Sequence, residues 1–497
     1  MPSTFLPLQI GLSALQSSML GVETAGHNIA NANTPGYARE VVDNETLPSL
    51  EIYTDHDTYI GQGVNARGQN RIDDTSLDKQ YWDNNTQQSY WQTLSTELNQ
   101  VEQVFNEPSG TTLRQSIQGF FNAWDQLAQS PADMGARAAV YEASVQVAGA
   151  FQTTAEQLQQ NYTRYQAEES VAANQFNTLL GNLAAINQQL ISLGNRSGNS
   201  GSSGGPTTSA PNDLLDQRDA LLDQLSQYAK LDVTYHNDGS VDVGVYINAN
   251  VVAFGNTTPI AVPMVTGGTV TGQVDGTIPA NASNAATNTV SVQDLLDNAG
   301  QLRSLYDMAQ YIQNGSSGVL DQVNTLAQEF MAAVNNQFSQ GYDLNGNQHP
   351  QLFTGTSASN MAVDPTFTST NLDLLPAAGT NGAGGPYQTD GANAQAIADM
   401  MTTYETAGAN LINGGPGPVV TYSGIVTQLG TDGQAANQKK DTFSALTTQV
   451  TSFRQSVRGV NINEEMASMV QYQQTYQAAS RFIAVFNDML NTLISEV

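Results

Sequence analysis

The amino-acid sequence predicts a mainly α, elongated, multi-domain chain with an inserted β-rich domain and coiled-coil-like helices at its two ends. Three observations lead there. Apolar residues recur at helical spacing over most of the 497 residues. Ala132 to Leu193 contains no proline, and near Leu231 the apolar period changes from that of a helix to that of a strand.

The first helix is read from Leu8, Leu12, Leu15, Met19, Val22, Gly26 and Ile29, which alternate in steps of four and three and so share one face. Among residues 1–38 only Glu23 carries side-chain charge. The helix is expected to stop at Asn33-Thr34-Pro35-Gly36, because proline disfavours the α conformation in the residue before it and glycine frees the backbone after it. Residues 1–38 are therefore assigned to an inner-core helix.

Residues 39–230 are read as the first part of a helical rod. It begins with an irregular or extended stretch over 40–75, followed by helical pattern from Leu77 to Phe105 and from Thr111 to Gln129, on either side of Pro108-Ser109-Gly110. Ala132 to Leu193 could form one helix or two stacked ones, roughly 90 Å if continuous, too long to bury itself without neighbours alongside. The Gly/Ser-rich tract Gly194 to Pro211 reads as a flexible connection before helix resumes at Asn212.

Val233 and Tyr235, then Val241, Val243, Val245 and Ile247, alternate around Asn237-Asp238-Gly239, a hairpin pattern, and Asp275-Gly276 offers a second turn. Residues 231–291 are assigned to the β-rich outer domain, 292–340 to returning rod helices, 341–391 to a variable loop or small outer region, and 392–460 to the last rod helices. Residues 461–497 form a C-terminal inner-core helix, with Met469, Tyr472, Tyr476, Ala479, Ile483, Phe486, Leu490, Leu493 and Val497 on one seam.

Composition excludes several function classes. The chain has no cysteine, so thiol chemistry, disulfides and Cys-ligated metals are out. Its formal charge of −29 argues against nucleic-acid binding, which concentrates Lys and Arg. Charged residues make up only 12% against roughly 25% in ordinary soluble chains. No window has the roughly 20 apolar residues of a membrane span, and no basic residue precedes Arg39, so neither membrane insertion nor a standard signal peptide is expected.

Motifs that could carry chemistry fail on context. Gly201-Ser202-Ser203-Gly204-Gly205 fits a hydrolase elbow in letters but lies in a linker, without the strand and helix that expose a nucleophile. Asp343, Asn345 and Asn347 start like a calcium loop, yet Gln348 and Thr354 stand where glycine and a bidentate Glu are required, so a turn is expected. His27, His56, His236 and His349 are far apart, and acidic pairs such as Glu464-Glu465 and Asp73-Asp74 read as solvated faces or helix starts. No catalytic, cofactor or metal site is expected.

The segment Gly11-Leu12-Ser13-Ala14-Leu15 with Asn28-Ile29-Ala30-Asn31-Ala32-Asn33-Thr34-Pro35-Gly36-Tyr37-Ala38-Arg39 resembles the N-terminal signature of flagellar rod, hook and hook-associated proteins. Gly459-Val460-Asn461-Ile462-Asn463-Glu464-Glu465, leading into Met469, Tyr472, Gln473, Tyr476 and Ala478, is similar to their C-terminal end. Gly36-Tyr37-x-Arg39, Gly61-x-Gly63-Val64 with Arg71-x-x-Asp74, Asn212 to Asp219, and Phe338 to Gly346 resemble the hook-associated branch. The likeness thins over 240–290 and 355–395, where the second variable region is short for a full outermost domain.

The resemblance implies a non-enzymatic, self-associating subunit that forms a ring or helical layer at the hook–filament junction, outside the cell. It also implies the type III export apparatus, an export chaperone for the C-terminal part, the hook protein and a second hook-associated junction protein as partners. The expected assembly interface is the two seams, Leu8, Leu12, Leu15, Met19, Val22, Ile29 and Met469 to Val497, with Asn28, Asn31, Pro35, Gly36 and Tyr37 shaping the turn out of the first helix. A hook or distal-rod protein is the nearest alternative, disfavoured by the long helical body and by Leu214-Leu215-Asp216-Gln217-Arg218-Asp219. An exported wall-degrading enzyme with axial-type ends is the alternative of another class, and no clustered carboxylates or nucleophile support it.

Overall fold

The computed structural model describes residues 5–52, 58–105, 112–197, 211–247, 250–254, 265–266, 269–271, 289–291, 300–315, 317–379, 387–407 and 418–496. Its helices are α1 (Leu6–Asn31), α2 (Thr75–Phe105), α3 (Leu113–Gln129), α4 (Met134–Ser197), α5 (Asn212–Tyr228), α6 (Gln301–Ile312), α7 (Val319–Phe338), α8 (Ala392–Ala407), α9 (Pro418–Arg458) and α10 (Ile462–Glu496). The proline-free stretch is one helix of 64 residues. Short strands fill the intervals, so the chain is mainly α.

Two compact units divide the chain. The first comprises Met1–Ser89, Ala173–Gly300 and Thr442–Val497; the second comprises Tyr90–Ala172 and Gln301–Asp441. Helices α2, α4 and α9 supply residues to both.

In the first unit, the stretch expected to be irregular or extended is two antiparallel strand pairs, one nested in the connection of the other. The strands β1 (Glu40–Thr46) and β4 (Val64–Arg71) pair antiparallel from Glu40↔Arg71 to Thr46↔Val64, with a bulge between Asp43 and Asn44. The strands β2 (Leu50–Ile52) and β3 (Thr58–Ile60) pair in the same sense. The predicted turn at Asn237-Asp238-Gly239 joins β5 (Leu231–Tyr235) to β6 (Val241–Ile247), with Gly239 at φ +84° as the turn requires. The strand β7 (Asn250–Phe254) completes an antiparallel sheet, and β8 (Val265–Thr266), β9 (Thr269–Thr271) and β10 (Thr289–Ser291) form another. The second predicted turn, Asp275-Gly276, and the turn at Pro108-Ser109-Gly110 lie outside the described residues.

The face of α5 shows how this unit is joined. Asp216, Asp219 and Asp223, three and four residues apart, point at cations from elsewhere in the sequence. Arg71 of β4 pairs with Asp216 at 3.0 Å and also with Asp219. Arg454 of α9 pairs with Asp223 at 3.1 Å and with Asp78 of α2 at 2.7 Å, and Trp82 donates its indole N–H to Asp223 at 2.7 Å. Burial pushes the Asp216 carboxyl up to about 6 despite Arg71. Asp219 is also buried, but Arg218 and Arg71 hold it below the usual range.

The second unit holds the larger apolar core, in which Phe120, Phe121, Trp124, Phe151, Phe330 and Phe353 are buried and stack at ring distances of 5.3–6.2 Å. Thr112 starts α3 with a reciprocal capping box to Gln115. The segment after α7 contributes to this core: Leu352, Phe353, Met361, Phe367 and Leu375 are buried, and β11 (Phe353–Thr354) pairs with β12 (Ala362–Val363). Arg137, fully buried, donates to the carbonyls of Pro131, Leu372 and Leu375 at 2.6–3.1 Å and so ties that segment to the start of α4.

Candidate assembly interface

The two terminal helices lie side by side and antiparallel. A β-carbon on Gly11 of α1 would lie 2.5 Å from Cγ1 of Ile483, one on Gly21 2.5 Å from Cδ1 of Tyr472, and one on Gly26 3.9 Å from Cε of Met469. Partner numbers fall along α10 as they rise along α1. The buried residues of α1 are Gly11, Ser17, Ser18, Gly21, Thr24, Ala25 and Asn28. They are small or polar, which lets the helix axes approach closely. Their hydroxyls are satisfied locally or by the β1–β4 ribbon: Ser18 donates to the Ala14 carbonyl at 2.7 Å, Ser17 to Oδ1 of Asn44 at 2.6 Å, and Gln69 donates to Thr24 at 2.7 Å.

The seam of α10 therefore comes closest to α1 at its glycines, beside the leucine stripe. Met469, Tyr472, Ile483, Phe486 and Leu490 are half-buried and Ala479 is buried, while Tyr476 is exposed. Leu8, Leu15, Val22 and Ile29 of α1 are half-buried at the flank of the pair, and Leu12 and Met19 are 51% and 53% exposed. Val497 and the side chain of Leu493 lie outside the described residues. Further apolar side chains outside the two predicted seams are exposed: Phe5, just before α1, and Phe482, Val485 and Met489 on α10. Their signal was present as a second face of the same helical repeat, next to the one counted.

At the inner end of the pair, α1 stops at Asn31, two residues before the predicted stop signal. The backbone N–H of Tyr37 reaches the Thr34 carbonyl at 3.2 Å, across Pro35 and a Gly36 at φ +85°, the arrangement of a type II turn. Pro35 is exposed. Asn31 donates to the His27 carbonyl and accepts from Thr34, both at 3.2 Å.

Asn28 explains why an amide is needed there. It is fully buried and uses both ends. Its amide donates to the Glu40 carbonyl at 2.8 Å and to Oε2 of Glu465 at 3.0 Å, while its oxygen accepts from the Glu40 backbone N–H at 2.9 Å and from the Tyr37 hydroxyl at 2.8 Å. One side chain thus joins α1, the turn, β1 and α10. Arg39 pairs with Glu465 at 2.7 Å, and its backbone N–H donates to the Arg458 carbonyl at 2.9 Å. Burial, then Glu40, Asp216, Asp213 and Glu465, push the Tyr37 phenol up, so it stays a hydrogen-bond donor. Glu40, Glu465 and Asp216 were not among the expected site residues, since only folding brings them to the turn.

The calcium-loop letters resolve as a turn. Asp343 is buried and its carboxylate accepts from the backbone N–H groups of Asn345 and Asn347, both at 2.8 Å, and faces Nε2 of His349 at 3.1 Å. Both backbone N–H groups meet Oδ1, as in an Asx turn. The hydrolase-like letters at Gly201 to Gly205 lie outside the described residues. Among the described residues no helix is long and apolar enough to cross a membrane.

Comparison with known proteins gives a consistent result. The family model of the flagellar hook-associated protein FlgK helical domain matches residues 98–353, more than half of the chain. That of the flagellar basal body rod FlgEFG protein C-terminal region matches residues 456–496, and that of flagella basal body rod proteins matches residues 8–37. Flagellar hook-associated protein 1 of Bacillus subtilis (strain 168) is 27% identical, with 100% of this chain and 99% of that protein covered. The protein of the same name in Escherichia coli (strain K12) is 23% identical, with 97% and 98% covered. Among solved structures, the flagellar hook junction protein FlgK from Burkholderia pseudomallei superposes with a TM-score of 0.59 at 15% identity, over 76% of this chain and 100% of that one, a likeness of fold.

Proposed function

The chain belongs to the family of the flagellar hook-associated protein FlgK helical domain, and from that premise we propose that it is a structural, non-enzymatic subunit of the bacterial flagellum that joins hook to filament. The observation that carries this reading is the pairing of α1 with α10 through small residues, which leaves apolar side chains on the outside of a pair whose ends match rod-family sequences. An exposed apolar face of this kind gains by meeting further copies. The assembly interface is therefore assigned to the flanks of this pair. Leu8, Leu12, Leu15, Met19, Val22 and Ile29 come from α1, and Tyr476, Phe486 and Leu490 come with Phe482, Val485 and Met489 from α10. The node at Asn28 and Tyr37 fastens the pair to the turn and to β1.

Partners on this reading are further copies of the chain, the hook protein and a second junction protein. The type III apparatus and an export chaperone for the C-terminal part act before assembly, and the working location is extracellular. Electron microscopy of cells lacking the protein tests the role. Hooks without filaments, with flagellin shed into the medium, are expected; normal filaments would remove the junction assignment.

A further inference from the structure

We infer that the first unit carries a divalent metal site formed by His27, Glu40 and Asp213, of the class filled by zinc or a similar transition-metal ion. One ring nitrogen of His27 and one carboxylate oxygen each from Glu40 and Asp213 lie within 4.8 Å of one another. His27 is in the last turns of α1, Glu40 opens β1 and Asp213 is in the first turn of α5, so three elements distant in sequence converge on one point.

The electrostatics of the place are short of positive charge. Glu40 has a side chain only 4% exposed, and its one ion-pair partner among the described residues is Nδ1 of His27 at 3.5 Å. A carboxylate withdrawn from water to that degree is costly unless a cation meets it. The nearby guanidinium groups are committed elsewhere, Arg39 to Glu465 and Arg71 to Asp216 and Asp219. Asp213 likewise meets only the far nitrogen of the same ring, at 3.9 Å. The hydroxyl of Tyr37 lies 3.2 Å from Nδ1 and the two rings meet edge to face, which holds the imidazole in place.

One imidazole with two carboxylates is a donor set suited to zinc, with water completing four-coordination, whereas calcium and magnesium favour oxygen alone. Donors bound to tetrahedral zinc at about 2.0–2.2 Å stand about 3.3–3.6 Å apart, so three donor atoms already within 4.8 Å of one another need to close by no more than about 1.5 Å. Asp213 and His27 are 68% and 39% exposed, so the ion has a path from solvent. Once bound, it would fasten the end of α1 to β1 and to α5, stiffening the root of the terminal-helix pair.

The test uses the full-length protein stripped with a chelator and titrated calorimetrically with zinc chloride, with cobalt(II) absorption as a probe of an N/O site. A single saturable zinc site and a rise in melting temperature on loading are expected. Asp213→Asn, at an exposed position, and His27→Gln, checked for native circular dichroism, are each expected to weaken binding by at least about tenfold. Wild-type protein that binds no zinc overturns the assignment. So does zinc binding that either substitution leaves unchanged, which would mark adventitious capture by a chain of charge −29.

Discussion

Gly21 of α1 and Tyr472 of α10 approach so closely that any side chain on the glycine would enter the phenol ring, with its β-carbon 2.5 Å from Cδ1 and 2.6 Å from Cγ. The contact sets how near the two terminal helices come. Gly21→Leu is therefore expected to separate them. Overpacking of this kind costs about 1–3 kcal/mol, and the loss falls on the helix pair. Hydrogen exchange should accelerate across Leu6–Asn31 and Ile462–Glu496 while the second unit keeps its protection. Unchanged exchange in both helices would mean that the close contact does not hold the pair.

Val485, 60% exposed on α10, separates assembly from folding better than Ile483, which is half-buried against Gly11. Val485→Asp should change monomer stability by no more than about 0.5 kcal/mol and yet block self-association. Sedimentation of purified protein, and filament counts on mutant cells, read the two effects apart. Copies carrying −29 each repel over a distance that salt shortens. Wild-type association should accordingly strengthen from low to moderate ionic strength, and a steady weakening would point to ion pairs as the holding force.

Asn28→Ala is expected to be the most damaging small substitution in the turn. It removes four hydrogen bonds at once and leaves the Glu40 N–H and carbonyl, the Tyr37 hydroxyl and Glu465 short of partners in a buried place. With about 1–3 kcal/mol for each buried group left unsatisfied, a loss of about 3 kcal/mol or more is expected in urea unfolding of the first unit. A loss below about 1 kcal/mol would show that water or a shifted side chain replaces the amide.

Glu169 predicts a pH dependence in the second unit. It lies in α4, 5% exposed, with Oε1 lacking a hydrogen-bond partner, and burial pushes its carboxyl from 4.5 up to about 7. Below about 4.5 both native and unfolded chains hold the proton, and nothing is lost. As pH rises to about 7 the unfolded chain releases it while the native chain keeps it, so native stability falls across that window. Glu169→Gln should match wild type near pH 4, then gain up to about 3 kcal/mol relative to it by pH 7 and level off above. A difference independent of pH would show that the carboxyl titrates normally.

Much of this architecture was readable along the chain. The helical state of α4 follows from a proline-free stretch of helical periodicity, although its being one helix of 64 residues and not two stacked ones was seen only in the fold, and the hairpin at Asn237-Asp238-Gly239 follows from alternation around a glycine that needs positive φ. The end of α1 near Pro35-Gly36 was equally legible. Each depends on contacts within a few residues, where the order of side chains dictates the backbone. The long apolar seam of α10 could be counted for the same reason.

What only the tertiary structure decided is which face meets which. The leucines of α1 were the conspicuous signal, yet it is at Gly11 and Gly21 that α10 comes closest, because close approach of two helices rewards the absence of side chains, and absence leaves little mark in a hydrophobic pattern. The partners of Asn28 lie 12 and 437 residues away, and Asp213 stands 186 residues beyond His27 (213 minus 27) although their side chains meet. No local period links such positions. The sequence by itself determined the helices, the turns and the family, whereas the pairing of buried polar groups and the convergence of His27, Glu40 and Asp213 were decided by folding, which alone brings distant charges close enough to interact.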